Sequence, residues 1–244
     1  MRVLIGHSMA VLCLLLLAGS PALAQTQAQA PKPPTAVTWA PAHRFTDHGL
    51  EWVWSAPAQV FLARSEVMVS QYRACVQAGR CSPPKALDGD VRCNWRYPER
   101  GEHPVNCLDW SQATDFCEWA GGRLPSEQEW EAEASDRGRR RYPWGEEEVS
   151  CARAIQTEGR YGCGKDTTWP VCSRPAGNSV SGLCDLSGNV WEWVSGPEGP
   201  EKAVRGGALN FGGAEYLGAT GRVTIPLESK DYDVGLRCAR PAPP

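Results

Sequence analysis

The residues with the most chemical scope in this chain are its cysteines. There are eleven. Cys13 lies in an apolar run near the N-terminus, which leaves ten in the rest of the chain. Thiols hold soft metals, carry redox chemistry or pair as disulfides. The spacing favours pairing. No CxxC or CxxH occurs, there is no HExxH, and His43, His48 and His103 are the only histidines beyond the N-terminal segment. An even number of cysteines in an exported chain reads as a disulfide framework. Cys75, Cys81, Cys93, Cys107, Cys151, Cys163, Cys172 and Cys184 allow about 105 connectivities, among which sequence-local pairing is the expectation: Cys75–Cys81, Cys93–Cys107, Cys151–Cys163 and Cys172–Cys184.

Export is the expectation from the first 24 residues. Arg2 gives a positive flank, Met9 to Ala18 is apolar but too short to span a bilayer, and Ala22-Leu23-Ala24 is a small-x-small cleavage site. An extracytoplasmic location, periplasmic or secreted, follows. No later stretch is long and apolar enough for a membrane span. Residues 25–36 are rich in Gln, Ala and Pro and read as a disordered linker. Residues 37–240 read as one domain and 241–244 as a tail. Loss of Arg2 with the leader takes the net charge from −3 to −4. That balance argues against a nucleic-acid partner. The one basic cluster, Arg137 to Arg141, reads as a solvated loop.

Glycine and proline are frequent and evenly spread, so only short elements are expected. Three helices are predicted. One is capped by Ser70 and ends at Gly79, one is capped by Ser111 and ends at Gly121-Gly122, and one is capped by Ser126. Glu129 makes a capping box with Ser126. Strands are predicted at Trp52–Trp54, Gln59–Ala63, Glu66–Val69, Val190–Val194, Ala203–Arg205 and Gly235–Ala239. Eleven tryptophans imply a core of large flat side chains beneath loops, stapled by bridges.

Three blocks are specific. They are Gly121-Gly122-Arg123-Leu124-Pro125-Ser126-Glu127-Gln128-Glu129-Trp130-Glu131, Asp185-Leu186-Ser187-Gly188-Asn189-Val190-Trp191-Glu192-Trp193 and Gly235-Leu236-Arg237-Cys238-Ala239. Tyr142-Pro143-Trp144-Gly145 lies between the first two. Together they resemble the sulfatase-modifying factor family, that of the formylglycine-generating enzyme. The resemblance implies an α+β fold of the C-type-lectin-like type with sparse regular structure. It implies a Cys117–Cys238 disulfide, and it places Ala134 and Ala219 where the family has a second one. It also implies a calcium ion held by the side chains of Asp185 and Glu192 and the carbonyls of Gly188 and Val190, a donor set of hard oxygens. The alternative for those two carboxylates is turn capping or pairing with arginines. A second family calcium site is not expected, because Ala154 stands where it needs asparagine.

The family's oxidation of a protein cysteine to formylglycine uses copper(I) on two cysteines that follow an Arg-Gly-Gly-Ser block. Here the block is Arg205-Gly206-Gly207-Ala208, and the two cysteine positions hold Phe211 and Tyr216. Neither side chain replaces a thiolate as a copper(I) ligand, so copper is not expected. Nor is the iron chemistry of the family's three-histidine branch, since histidines are too few.

The expectation is therefore an exported binding or scaffold module for protein, peptide or glycan, not catalytic as a formylglycine generator. The alternative is an enzyme modifying an exported protein or peptide without the two lost thiols, with Asp231, Asp233, Arg222 and Arg237 near the ancestral cleft. A third reading is a disulfide-stapled envelope protein with no ligand.

Overall fold

Short apolar runs separated by turn residues build two small sheets rather than one long one. The computed structural model describes residues 44–85, 91–197 and 199–242. The leader and linker, His43 and the last two residues of the tail lie outside that range. The strands are β1 (Arg44–Asp47), β2 (Leu50–Ser55), β3 (Val60–Ala63), β4 (Trp191–Trp193), β5 (Glu201–Arg205), β6 (Arg222–Pro226), β7 (Val234–Leu236) and β8 (Ala239–Arg240). One sheet has the order β1-β2-β3-β8 and the other β6-β5-β4-β7. All pairings are antiparallel except β4 with β7. The final predicted strand is thus two strands in different sheets, with Arg237 and Cys238 at the crossing.

Three helices complete the frame: α1 (Val69–Gln77), α2 (Trp110–Trp119) and α3 (Glu127–Ala134). The cap of α3 is as expected. Ser126 Oγ accepts from the Glu129 N–H at 3.1 Å, and Glu129 Oε2 accepts from the Ser126 N–H at 2.8 Å. The cap of α2 is Asp109 rather than Ser111. Its carboxylate accepts from the Gln112 N–H at 2.8 Å, which starts the helix earlier than the sequence suggested. Helix α1 likewise starts before Ser70, because the Gln71 side chain turns back to accept the Met68 N–H at 2.7 Å. That start also removes the strand predicted at Glu66–Val69, of which only a single bridge between Met68 and Pro104 forms.

The inner strands β2 and β3 of the first sheet pack on both faces. Trp52, Phe61 and Ala63 pack with Tyr72 of α1, Phe116 of α2 and Trp193, while Val53, Val60 and Leu62 pack with Trp130 of α3, Leu186 and Val194. Ala134 and Ala219 both lie in the second cluster, so these two methyl groups share one core. Five disulfides tie the loops: Cys75–Cys81, Cys93–Cys107, Cys117–Cys238, Cys151–Cys163 and Cys172–Cys184. Cys117–Cys238 spans 121 residues and fastens α2 to the crossing between β7 and β8.

At that crossing the core holds charge. Arg237 is fully buried and Glu192 is 1 % exposed. The guanidinium meets the carboxylate side-on, Nη2 to Oε1 at 2.6 Å and Nε to Oε2 at 3.0 Å. Its remaining donors reach the carbonyls of Ala63 and Cys184, each at 2.8 Å. The Trp130 indole N–H donates to Glu192 Oε2 at 2.7 Å. Glu66, also buried, accepts from Asn189 Nδ2 at 2.7 Å and from the Val190 N–H at 3.1 Å. Burial, reinforced by the charges of Asp185 and Glu192, pushes the Glu66 carboxyl well up. Burial likewise pushes Asp185 up to about 6. Removing one partner of a buried pair strands the other. Arg237→Met is therefore expected to cost about 3–5 kcal/mol in urea unfolding with disulfides intact.

His103 gives the fold a pH dependence of opposite sign. Its Nδ1 lies 2.8 Å from Thr168 Oγ1. Burial, with Arg100 and Lys165 nearby, lowers its pKa from 6.5 to about 4. The unfolded chain therefore takes up a proton the folded chain refuses, and stability falls as pH drops from 6.5 through about 4. The raised carboxyls act the other way: their contribution is present at low pH and is lost as pH rises through about 6 for Asp185 and higher for Glu66. In His103→Gln only the carboxyl trend remains. Relative to the parent, its unfolding free energy should gain roughly 1–2 kcal/mol between pH 7 and pH 5.

Candidate functional site

The site is built from the loop that leaves β5. Gly206 and Gly207 adopt φ of +98° and +73°. A Cβ on Gly207 would stand 2.5 Å from Leu217 Cδ2, so a side chain there has no room. The turn buries Ala208 completely. Residues 209–218 then fold back through one helical turn, Ala214–Leu217. Backbone bonds fix the loop: the Leu209 N–H to the Asn189 carbonyl at 3.0 Å, and the Thr157 N–H to the Phe211 carbonyl at 2.8 Å.

This loop brings together the two positions the sequence singled out. The Phe211 and Tyr216 ring centroids lie 4.8 Å apart. Trp191, on β4, packs edge-on against both, at 5.4 and 6.4 Å. Two residues that the family pattern pairs as thiols are paired here as aromatic rings on a tryptophan floor. All ten described cysteines are in disulfides. The donor set does not fit copper(I).

Beside the rings is a polar group that the sequence only partly announced. Asn210 Nδ2 donates to Tyr232 Oη at 3.0 Å and to Asp233 Oδ2 at 2.9 Å. Asn210 Oδ1 is buried and has no hydrogen-bond partner. The Trp191 N–H donates to the Asp233 carbonyl at 2.7 Å, which joins this group to the aromatic floor. The Arg92 guanidinium stacks 3.4 Å from the Tyr232 ring centroid. Burial raises the Asp233 pKa, against the opposing hydrogen bond from Asn210. Burial also raises that of Asp231. Asn210 and Tyr232 were not foreseen, although each is the sequence neighbour of a residue that was.

The other expected residues go elsewhere. Arg222 pairs with Glu127 on the surface, Nε to Oε2 at 2.7 Å. Arg237 is committed to the core. Arg137 donates to the Pro57 carbonyl at 2.7 Å, Arg139 and Arg140 pair with Asp136, and Arg141 pairs with Glu148, so these cations are structural. Of the expected calcium ligands, the Glu192 carboxylate is otherwise engaged. Both oxygens of Glu192 are taken by Arg237 and Trp130, the arginine pairing that was the alternative for this carboxylate. Asp185 Oδ2 accepts the Cys172 N–H at 2.5 Å. With Glu192 neutralised by a guanidinium, that carboxylate is not a free ligand for a calcium ion.

Residues 55–242 match the sulfatase-modifying factor enzyme 1-like domain. The chain is 32% identical over 194 residues to the formylglycine-generating enzyme of Streptomyces coelicolor, a match covering 61% of this chain and 59% of that protein. It is 34% identical over 173 residues to the inactive C-alpha-formylglycine-generating enzyme 2 of Mus musculus, covering 61% and 55%. To the hercynine oxygenase of Mycolicibacterium smegmatis it is 38% identical over 130 residues, covering 51% and 29%. The chain thus spans less than two thirds of the length of these relatives. Among solved structures, PvdO of Pseudomonas aeruginosa matches with a TM-score of 0.62 at 20% identity, covering 75% of this chain and 80% of that one. CarF matches with a TM-score of 0.59 at 21% identity, covering 75% and 87%. The likeness to these two is one of fold. Among the described residues no helix is long and apolar enough to cross a membrane. The chain belongs to the sulfatase-modifying factor family.

Proposed function

We propose that this chain is an exported family member that has given up copper–thiolate oxidation and binds an exported peptide or glycan at the ancestral site. The observation that supports the reading is the cluster of Phe211, Tyr216 and Trp191 at the positions where the resemblance puts the family's thiols, with every described cysteine bonded elsewhere. Clustered rings beside Asn210, Tyr232 and Asp233 suit a ligand with an apolar face and polar edges. The framework of five bridges supports export. A relative whose name calls it inactive supports loss of the oxidation within the family.

A second reading keeps catalysis on Asp233. Its raised pKa and its hydrogen bond from Asn210 are those of a carboxyl poised to move a proton. The two readings separate experimentally. The purified chain, supplied with copper(I) and oxygen, should convert no peptide cysteine to formylglycine, and mass spectrometric detection of that product would end the proposal. Binding to arrayed peptides and glycans should weaken about tenfold in Phe211→Ala and in Tyr216→Ala, an effect the size of one lost aromatic contact. Turnover of any bound peptide that survives Phe211→Ala but not Asp233→Asn would select the enzyme reading. The inherited geometry has its own check. The double variant Phe211→Cys/Tyr216→Cys should acquire copper(I) binding, in competition with a chromogenic chelator, that the parent lacks.

A further inference from the structure

The disulfide Cys172–Cys184 differs from the other four. Cys75–Cys81, Cys93–Cys107 and Cys117–Cys238 are buried at both ends, and Cys151–Cys163 is half-buried at both ends. Cys184 is fully buried while Cys172 is half-buried. Cys172 also lies on the wall of a cavity of about 380 Å³ whose lining includes Arg64, Glu51, Gln71, Met68 and Glu102. One half of the bridge belongs to a residue on the cavity wall and the other to a residue fully buried. That asymmetry is what an exchange reaction needs, with one sulfur to attack and one to leave.

The surroundings of the pair point the same way. The Arg64 carbonyl accepts the Cys184 N–H at 2.9 Å and lies 3.4 Å from Cys184 Sγ. The Arg64 side chain lines the cavity that Cys172 faces. Its Nη1 stands 3.7 Å from Glu51, and its Nε–H is buried with no hydrogen-bond acceptor. The Arg64 guanidinium offsets the Glu51 and Glu102 carboxylates on the same wall, which would otherwise repel an incoming thiolate. The Asp185 carboxyl has an oxygen within 4.8 Å of both sulfurs and takes the Cys172 N–H, which holds the reachable half of the bridge in place.

We propose that Cys172–Cys184 is an exchangeable disulfide that oxidises thiols entering this cavity. The incoming thiolate attacks Cys172 Sγ. A bond forms between the two sulfurs, the Cys172–Cys184 bond breaks, and its electron pair passes to Cys184 Sγ, which takes up the proton the incoming thiol has lost. A second thiol attacks the mixed disulfide, releases Cys172 as a thiol and leaves as a substrate disulfide. Two thiols are thereby oxidised and the bridge is reduced by two electrons. This activity is separate from the ring site of Phe211 and Tyr216 and does not depend on the reading of that site.

The test uses the full folded protein with its bridges intact. It is exposed to reduced glutathione, and in a second arm to a ten-residue peptide with one central cysteine. The reaction is stopped at intervals by alkylation and every cysteine is mapped by peptide mass. Cys172 and Cys184 should become labelled about tenfold faster than any other pair while circular dichroism stays native. Early samples should carry the adduct on Cys172 and not on Cys184. Exchange with both reagents assigns an open site, and exchange with glutathione alone assigns a small thiol. Arg64→Gln should slow the adduct several-fold without moving the thermal midpoint. Prior labelling of Cys151 and Cys163, an adduct on Cys184, or release of all five bridges together on unfolding would each overturn the proposal.

Discussion

A single buried guanidinium is the constraint on which this fold turns. Arg237 occupies the two-residue step by which the chain passes from β7 in one sheet to β8 in the other. No water reaches it, so each of its donors must find an acceptor. It finds them in Glu192 on β4, in the carbonyl of Ala63 at the end of β3, and in that of Cys184 before the Gly188–Val190 turn. One side chain thus sets the spacing of both sheets and of the loop beneath them. The disulfide at the next residue, Cys238 to Cys117, draws α2 to the same place. Charge and covalent bond fix one crossing from two sides.

The same pair explains how the ring site keeps its shape. Glu192 lies between Trp191 and Trp193 on β4. With its carboxylate tied inward to Arg237 and Trp130, Trp191 is left facing the loop of Phe211 and Tyr216. The loop is in turn bonded to Asn189, Thr157 and the tight Gly206-Gly207 turn. None of these supports uses a thiol. Aromatic rings at these two positions therefore leave the scaffold around them satisfied. Function resides in such sites rather than in the fold that carries them.

What could be read from the sequence follows from how local each feature is. The Ser126 cap was legible because all its groups lie within four residues. The four sequence-local disulfides were legible for the same reason, and Cys117–Cys238 through a specific family motif. Strands β1 and β6 were missed because both are edge strands with exposed, polar-rich residues and no continuous apolar run. The cap of α2 was misplaced by two residues because both Asp109 and Ser111 carry capping side chains, and the Gln112 reply that decides between them is visible only in the fold. Glu192 is the most instructive case. Its type and its motif suggested a hard-cation ligand, and the outcome depended on an arginine 45 residues away.

Glu133 shows the limit of such reading. It sits on α3 with 1 % exposure and has no cationic partner within ion-pair distance among the described residues. Three hydroxyls hold it, from Ser55 on β2 at 2.5 Å and from Ser179 and Ser181 at 2.5 and 2.9 Å. Nothing in an alternating Glu-x-Glu helix singles out that carboxylate from Glu127, Glu129 or Glu131, all of which face arginines. Hydroxyl donors can carry a buried carboxylate only when several converge, since each neutral bond is weaker than one from a guanidinium. Convergence of three serines from two distant segments is a property of the packed fold. One buried carboxylate is held by charge at the sheet crossing and another by hydroxyls behind α3, each by donors that only the packed fold brings to it.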